Sequence, residues 1–171
     1  MGIMPIEPFN TMREVMIMTL TQKETTLLKD LRSQEQLCIE KYTQYENDAV
    51  DGQLKSLFAQ IRAHEQQHLQ TLDQIASGSP PQMMQGGGQQ QQQQETMQFQ
   101  PSNYNEQDKQ KDAYLCSDAL ATEKHVSSTY NTCIFEFKDT NARNALNHIQ
   151  KEEQQHGEQI YNFMSANGMY S

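Results

Sequence analysis

The sequence has no tryptophan, few aromatic residues and no long hydrophobic run, although it is 171 residues long. Hydrophobic residues make up 35% of it, which is sufficient for a helical bundle because each helix then buries only one apolar stripe. The apolar piece VMIMTL near the N-terminus is too short for a membrane span or for the hydrophobic region of a signal peptide. We therefore expect a protein that is made in the cytoplasm without a signal peptide.

Positive charge and paired cysteines are also scarce. The net charge is −9, and the absence of clustered Lys and Arg argues against nucleic acid as a partner. The three cysteines, Cys38, Cys116 and Cys133, are odd in number and form no Cys-x-x-Cys pair. This pattern excludes a disulfide framework and is typical of a reducing compartment. We expect the cysteines to be small core residues.

Four helical segments are predicted, in two pairs. Thr21-Gln-Lys-Glu24 is a capping box that begins the first helix, and Asp51-Gly52 and Asp139-Thr140-Asn141 mark the two tight turns. Apolar residues recur at helical spacing, for example Leu27, Leu31, Cys38 and Tyr42 in the first segment. Two tight turns and one long crossover predict an all-α four-helix bundle.

The predicted organisation is an N-terminal extension at 1–20 followed by the bundle at 21–171. Within the bundle, hairpin 1 covers 21–76, a link covers 77–105, and hairpin 2 covers 106–168. The link contains QGGGQQQQQQ, and its Pro, Gly and Gln residues predict a mobile connection that adds nothing to the core. A further hypothesis is that its glutamines are acyl donors for Gln–Lys isopeptide bonds.

The two hairpins are an internal repeat. A shift of 88 residues, without a gap, aligns Leu27 with Leu115, Tyr42 with Tyr130, and the EQQH at 65–68 with the EQQH at 153–156. The repeat therefore covers whole hairpins rather than one motif.

Polar residues interrupt the apolar stripe of each predicted helix at equivalent positions. They are four glutamates and two histidines: Glu35, Glu65, His68, Glu123, Glu153 and His156. Buried carboxylates are costly unless something cationic offsets them, and no Lys or Arg lies in these stripes. Two divalent cations carry the charge that neutralises four carboxylates, with both imidazoles neutral. The pattern therefore predicts a dinuclear site with two divalent cations.

The arrangement of one Glu from each of two helices and Glu-x-x-His from each of the other two resembles the ferritin-like di-iron and di-manganese proteins. The segments TQKETTLLKDLRSQEQLCIEKYTQYENDAV, ALATEKHVSSTYNTCIFEF and IQKEEQQH resemble the coat F family of spore coat proteins. That resemblance implies a ferritin-like fold, a location in the bacterial spore coat and other coat proteins as partners. It leaves a homo-oligomer open.

Several alternatives accompany this interpretation. HEQQH at 64–68 matches a zinc peptidase helix, but the second copy has Glu152 in place of His64, so the repeated unit is Glu-x-x-His. The six polar residues also fit a hydrogen-bonded structural layer without metal. The alternative function is a di-iron or di-manganese oxidoreductase acting on peroxide or O₂, in which Glu65 and Glu153 bridge the ions.

Three further predictions concern pairs of residues outside the six. We expect His125 and His148 at the surface, and Tyr42 and Tyr130 in the core, with electron relay as the alternative for the tyrosines. Asp30 and Asp118 either orient the histidines or form capping and pairing contacts near solvent. Of these two roles, the sequence favours contacts near solvent.

Overall fold

The computed structural model describes residues 18–82 and 97–170. Four α-helices lie within these two ranges, and no strand does. They are α1 (Gln22–Asp48), α2 (Gly52–Ala76), α3 (Glu106–Ile134) and α4 (Thr140–Ala166). The predicted all-α four-helix bundle is confirmed. Most of the predicted N-terminal extension and the tract QGGGQQQQQQ lie outside the described residues.

The helices begin and end where local chemistry favours it. Thr21 and Glu24 form the predicted capping box, in which the Thr21 N–H donates to the Glu24 carboxylate at 2.7 Å. Asp51 and Asp139 are the N-caps of α2 and α4. Both of these helices are followed by a glycine in the left-handed region, Gly78 and Gly168, where a side chain would be strained.

The packing order of the helices explains the long link. α1 packs on α2 and α3, whereas α4 packs on α3 and α2. The start of α1 lies beside the end of α2, because the Met18 N–H donates to the Gly78 carbonyl at 3.0 Å. Asp112, near the start of α3, instead contacts the turn that begins α2. α2 and α3 are therefore parallel, and the chain between them must cross the length of the bundle.

An acidic residue near the start of each hairpin holds the turn of the other hairpin. The buried Glu24 accepts from the backbone N–H of Lys138 at 2.8 Å. Asp112 lies 88 residues further on and accepts from the N–H groups of Val50 and Asp51 at 2.8 and 2.9 Å. The repeat therefore carries two equivalent cross-hairpin contacts, one at each end of the bundle.

The core runs through all four helices and also receives part of the link. Leu28 is fully buried at the start of α1, whereas Leu27, predicted for the core, is only partly buried. Met97 and Phe99 pack against the core, and the Phe99 ring meets Phe163 edge-on at 5.3 Å. The prediction that residues 77–105 add nothing to the core is therefore wrong for the last part of the link, because its apolar side chains cover the end of the bundle.

Candidate metal centre

The six polar residues of the repeat converge at one level of the bundle. Each has an exposure of 2% or less, so all are removed from solvent. α1 and α3 supply one glutamate each, and α2 and α4 each supply a glutamate and a histidine one turn apart. Antiparallel hairpins with equal distances from the turn produce this convergence. The set is Glu35, Glu65, His68, Glu123, Glu153 and His156.

One half of the cluster surrounds His68. Its Nδ1 lies 3.1 Å from Oε1 of Glu153 and 3.6 Å from carboxylate oxygens of Glu35 and Glu65. The ligand atoms of these four residues lie within 4.8 Å of one another. Such a group of oxygens and one nitrogen is suited to hold one cation.

The other half surrounds His156 in the equivalent way. Its Nδ1 lies 3.1 Å from Oε1 of Glu65, 3.5 Å from Oε2 of Glu123 and 3.7 Å from Oε2 of Glu153. Glu65 and Glu153 therefore belong to both groups, and each directs its two oxygens to different histidines. Glu35 and Glu123 belong to one group each.

Eight buried polar atoms of this cluster have no hydrogen-bond partner among the described residues. They are Glu35 Oε2, both oxygens of Glu65, His68 Nδ1, Glu123 Oε2, both oxygens of Glu153 and His156 Nδ1. The closest approaches between them, at 3.1 Å, do not meet hydrogen-bond geometry. A buried polar atom without a partner costs about 1–3 kcal/mol, and more if it is charged. Orphaned oxygens and imidazole nitrogens that face one another fit a set of cation ligands, and carboxylate with imidazole suits iron or manganese.

The pKa values of the cluster reflect burial and mutual contact. Burial raises the pKa of Glu35 and Glu123 well above the usual range, and the lowering effect of the histidines does not offset it. Burial acts in the same direction on Glu65, but contacts with the two imidazoles outweigh it and lower its pKa. Burial alone would lower the pKa of His68, yet the surrounding carboxylates raise it well above normal. The carboxylates therefore do not ionise independently.

Two buried tyrosines connect the hairpins through the glutamates. The Tyr42 hydroxyl donates to Oε1 of Glu123, and the Tyr130 hydroxyl donates to Oε1 of Glu35. Both tyrosines are fully buried, so the prediction that they belong to the core is confirmed. Their bonds to the opposite hairpin were not predicted, since the sequence distance within one helix gives about 10 Å between Tyr and Glu. Each bond leaves the second oxygen of its glutamate, Oε2, facing the histidines.

The outer nitrogens of the two histidines have different partners. Nε2 of His68 lies 3.0 Å from Oε2 of Glu152, whereas Nε2 of His156 lies 3.0 Å from Nδ1 of His64. Glu152 and His64 are equivalent in the repeat, and they are where its two copies of the motif differ. Burial would raise the pKa of Glu152, but His68 and two further histidines lower it. An ionised carboxylate can only accept, so Nε2 of His68 carries a hydrogen and Nδ1 faces the cluster.

The zinc peptidase interpretation is not supported by this geometry. It requires His64 and His68 to converge on one ion. His64 instead contacts the outer nitrogen of His156, and neither of the two ligand groups found in the described residues includes it.

The remaining sequence predictions are mostly confirmed. His125 and His148 are exposed, and the three cysteines are buried. Burial raises the pKa of Cys133 to about 11, so its thiol stays protonated and unreactive at neutral pH. Asp118 pairs with Lys41 at 3.0 Å and accepts from Tyr45, so it does not orient a histidine.

A groove of about 530 Å³ leads to the cluster between α3 and α4. Glu123 and Glu153 lie among its lining residues, together with side chains at the surface such as Lys124 and Asn131. We call it the α3–α4 groove. Two of the proposed ligand residues thus line a groove that hairpin 2 alone forms.

Two repeated hairpins that close around a buried cluster of carboxylates and imidazoles define a four-helix bundle protein with a candidate dinuclear centre. Residues 111–171, which make up nearly all of hairpin 2, match the Coat F domain. This part of the chain is similar to the Coat F domain, in agreement with the resemblance seen in the sequence, and the similarity supports a role in the spore coat.

No curated protein and no solved structure matches the chain. The ferritin-like assignment therefore stays a prediction that depends on the helix order and the ligand pattern. None of the helices in the described ranges is long and apolar enough to cross a membrane.

Proposed function

We propose that this protein is a structural component of the bacterial endospore coat, assembled there by contacts with other coat proteins, and that its bundle holds two iron or manganese ions. The Coat F domain supports the coat role. The eight unpartnered buried atoms carry the metal proposal, because two divalent cations would satisfy them and neutralise four carboxylates together. Glu65 and Glu153 would bridge the ions, and Glu35, Glu123, His68 and His156 would complete them.

The metal proposal is tested by replacing the two bridging residues. Glu65→Gln with Glu153→Gln preserves side-chain size and removes two charges, so we expect it to abolish binding of about two ions per chain. Metal content is measured by mass spectrometry on protein purified without chelator. Glu40→Gln with Glu158→Gln, which alters two exposed carboxylates on the same bundle, is the matched control and should keep both ions.

The outcome that would contradict the proposal is wild-type protein that takes up no iron or manganese even after anaerobic loading. The six residues would then form a structural polar layer. The coat role is checked separately by following the wild-type and doubly substituted proteins into the coat fraction of purified spores. We expect both in that fraction, because assembly needs the bundle surface rather than the ions.

A second candidate function is that of an oxidoreductase, which the α3–α4 groove specifically favours. Two iron or manganese ions would supply redox chemistry toward peroxide or O₂. The protein would supply the buried ligands and a groove that reaches Glu123 and Glu153 from outside. Peroxide consumption by the metal-loaded wild type, absent from the Glu65→Gln, Glu153→Gln protein, would support this function over a purely structural one.

A further inference from the structure

Two residues that line the α3–α4 groove are smaller than the equivalent residues of hairpin 1. Gly157 and Ser127 line it, and their equivalents 88 residues earlier are Leu69 and Ile39. Leu69 and Ile39 are both partly buried in hairpin 1. Hairpin 2 therefore has small residues where hairpin 1 has large apolar ones, and this difference creates room above the cluster.

Two residues that line the groove, Glu123 and Glu153, also belong to the cluster. Glu123 and Glu153 are 2% and 1% exposed, and Oε2 of Glu123 and both oxygens of Glu153 have no hydrogen-bond partner among the described residues. These oxygens are ligand atoms of the cluster itself. The groove therefore ends against two residues of the candidate centre.

Half of the residues that line the groove have polar, uncharged side chains, and apolar atoms of these residues and of Leu120 supply much of its surface. The amide of Gln150 is held by a bond from its Nε2 to the Ser127 carbonyl at 3.0 Å. Ser128, Asn131 and Gln154 supply further hydroxyl and amide groups. The ammonium group of Lys124 and the carboxyl groups of Glu123 and Glu153 also belong to the lining residues. The hydroxyl and amide groups could hydrogen-bond to the water molecules that a divalent cation keeps.

The size of the groove also fits a hydrated ion. Six water molecules occupy roughly 180 Å³ at about 30 Å³ each, which is less than the groove volume of about 530 Å³. A divalent ion could therefore enter with its hydration shell and exchange water for carboxylate oxygens where the groove meets Glu123 and Glu153.

We propose that the α3–α4 groove is the path by which a hydrated divalent cation reaches the cluster, with Gly157 and Ser127 keeping it open. This inference rests on the proposed dinuclear site. It assigns to hairpin 2 a task that hairpin 1 does not share, although both contribute ligands equally.

Gly157 offers a direct test because a side chain fits at this position. A Cβ added there would lie 3.5 Å from Cδ1 of Leu120 and 3.9 Å from Cβ of Glu123, which are ordinary contacts. Gly157→Ala therefore leaves the groove open, whereas Gly157→Leu, which copies Leu69 of the repeat, extends a side chain into it. Both substitutions remove the glycine, so their difference isolates the obstruction.

The experiment measures Co²⁺ binding to metal-free full-length protein by stopped-flow absorbance, and Co²⁺ release into excess chelator. We expect Gly157→Leu to slow both processes about tenfold or more, since the ion must wait for the obstructed groove to open. The amount bound and the affinity should be unchanged, because an obstruction slows binding and release by the same factor. Gly157→Ala should behave like the wild type.

Each contrary result has a distinct meaning. Equal rates for Gly157→Leu and the wild type would overturn the path while leaving the dinuclear site intact. Absence of Co²⁺ binding by the wild type would overturn the site and the path together. If Gly157→Leu lowers the amount of Co²⁺ bound, the same rates are measured for Ser127→Ile, which copies Ile39 of the repeat. Slower binding and release by Ser127→Ile at full occupancy would support the path, and rates equal to those of the wild type would overturn it.

Discussion

At the scale of single residues, the candidate centre is asymmetric in its outer contacts. The six candidate ligands are the same in both hairpins, but Nε2 of His68 contacts the carboxylate of Glu152, whereas Nε2 of His156 contacts the imidazole of His64, whose pKa is lowered by burial. A carboxylate behind a ligating histidine fixes its tautomer and increases its basicity. We therefore expect the position completed by His68 to be the stronger of the two.

Replacing Glu152 by alanine should weaken binding of one ion by about 10–100-fold, because groups of this kind typically contribute that much to metal affinity. The measurement is calorimetric titration of metal-free protein with Mn²⁺. Glu158→Ala, an exposed change on the same helix, is the control. Titration curves that coincide for Glu152→Ala and the wild type would contradict the role assigned to Glu152.

The six inner residues were predictable, whereas their partners were not. Glu and His at positions i and i+3 share a helix face, and the turns fix the level at which facing helices meet, so local geometry was sufficient. The bonds of Tyr42 to Glu123 and of His68 to Glu152 join residues 81 and 84 positions apart. They depend on how one hairpin lies on the other, which no periodicity within a helix encodes.

At the scale of the helices, each hairpin is held by the acid at the start of the other. Glu24 accepts three hydrogen bonds, from the N–H and hydroxyl of Thr21 and the N–H of Lys138. Burial would raise the pKa of Glu24, but the backbone bonds from Lys138 and Thr21 outweigh it and lower the pKa below 4.5. The ionised form is therefore the one that stabilises the fold.

Glu24→Gln should reduce the free energy of unfolding at pH 7 by about 1–3 kcal/mol, as expected for lost bonds to a charged group. A folded-state pKa below the unfolded value means that this contribution is complete above pH 4.5 and is lost as the pH falls through the folded pKa. Urea unfolding at a series of pH values should show the difference from the wild type shrinking in acid. Glu106→Gln, an exposed acid in the first turn of α3, is the control, and an equal loss there would indicate a helix-dipole effect instead.

The equivalent contact of Asp112 shows what the sequence could have revealed. The shift of 88 residues aligns Glu24 with Asp112. Because the two residues are both acidic but not identical, a comparison that counts only identical residues does not detect this pair. Helix boundaries were easier, since Thr21, Asp51 and Asp139 are N-caps whose effect is local. The packing of Met97 and Phe99 was missed because Gln and Gly dominate the composition of the link.

At the scale of the whole molecule, direct contacts between the two hairpins stabilise the bundle. The hydrogen bonds between them are distributed over both ends and the middle of the bundle. If a protease site is inserted between residues 83 and 96 and cleaved, we expect the two pieces to stay together. Size-exclusion chromatography would show one species with unchanged elution, and separation under native conditions would contradict the expectation.

The crossed contacts have a consequence for how such a protein can arise. Each hairpin alone supplies two carboxylates and one imidazole to the cluster. The hydrogen bonds of Glu24 with Lys138, of the two buried tyrosines with Glu35 and Glu123, and of His68 with Glu152 all join one hairpin to the other. A chain of one hairpin could therefore form the same centre only as a twofold dimer. The present chain corresponds to such a dimer fused end to end. In a fused chain the two copies can differ in sequence. Hairpin 1 has His64 and Leu69 where hairpin 2 has Glu152 and Gly157. A dimer of identical chains could not combine these differences in one molecule.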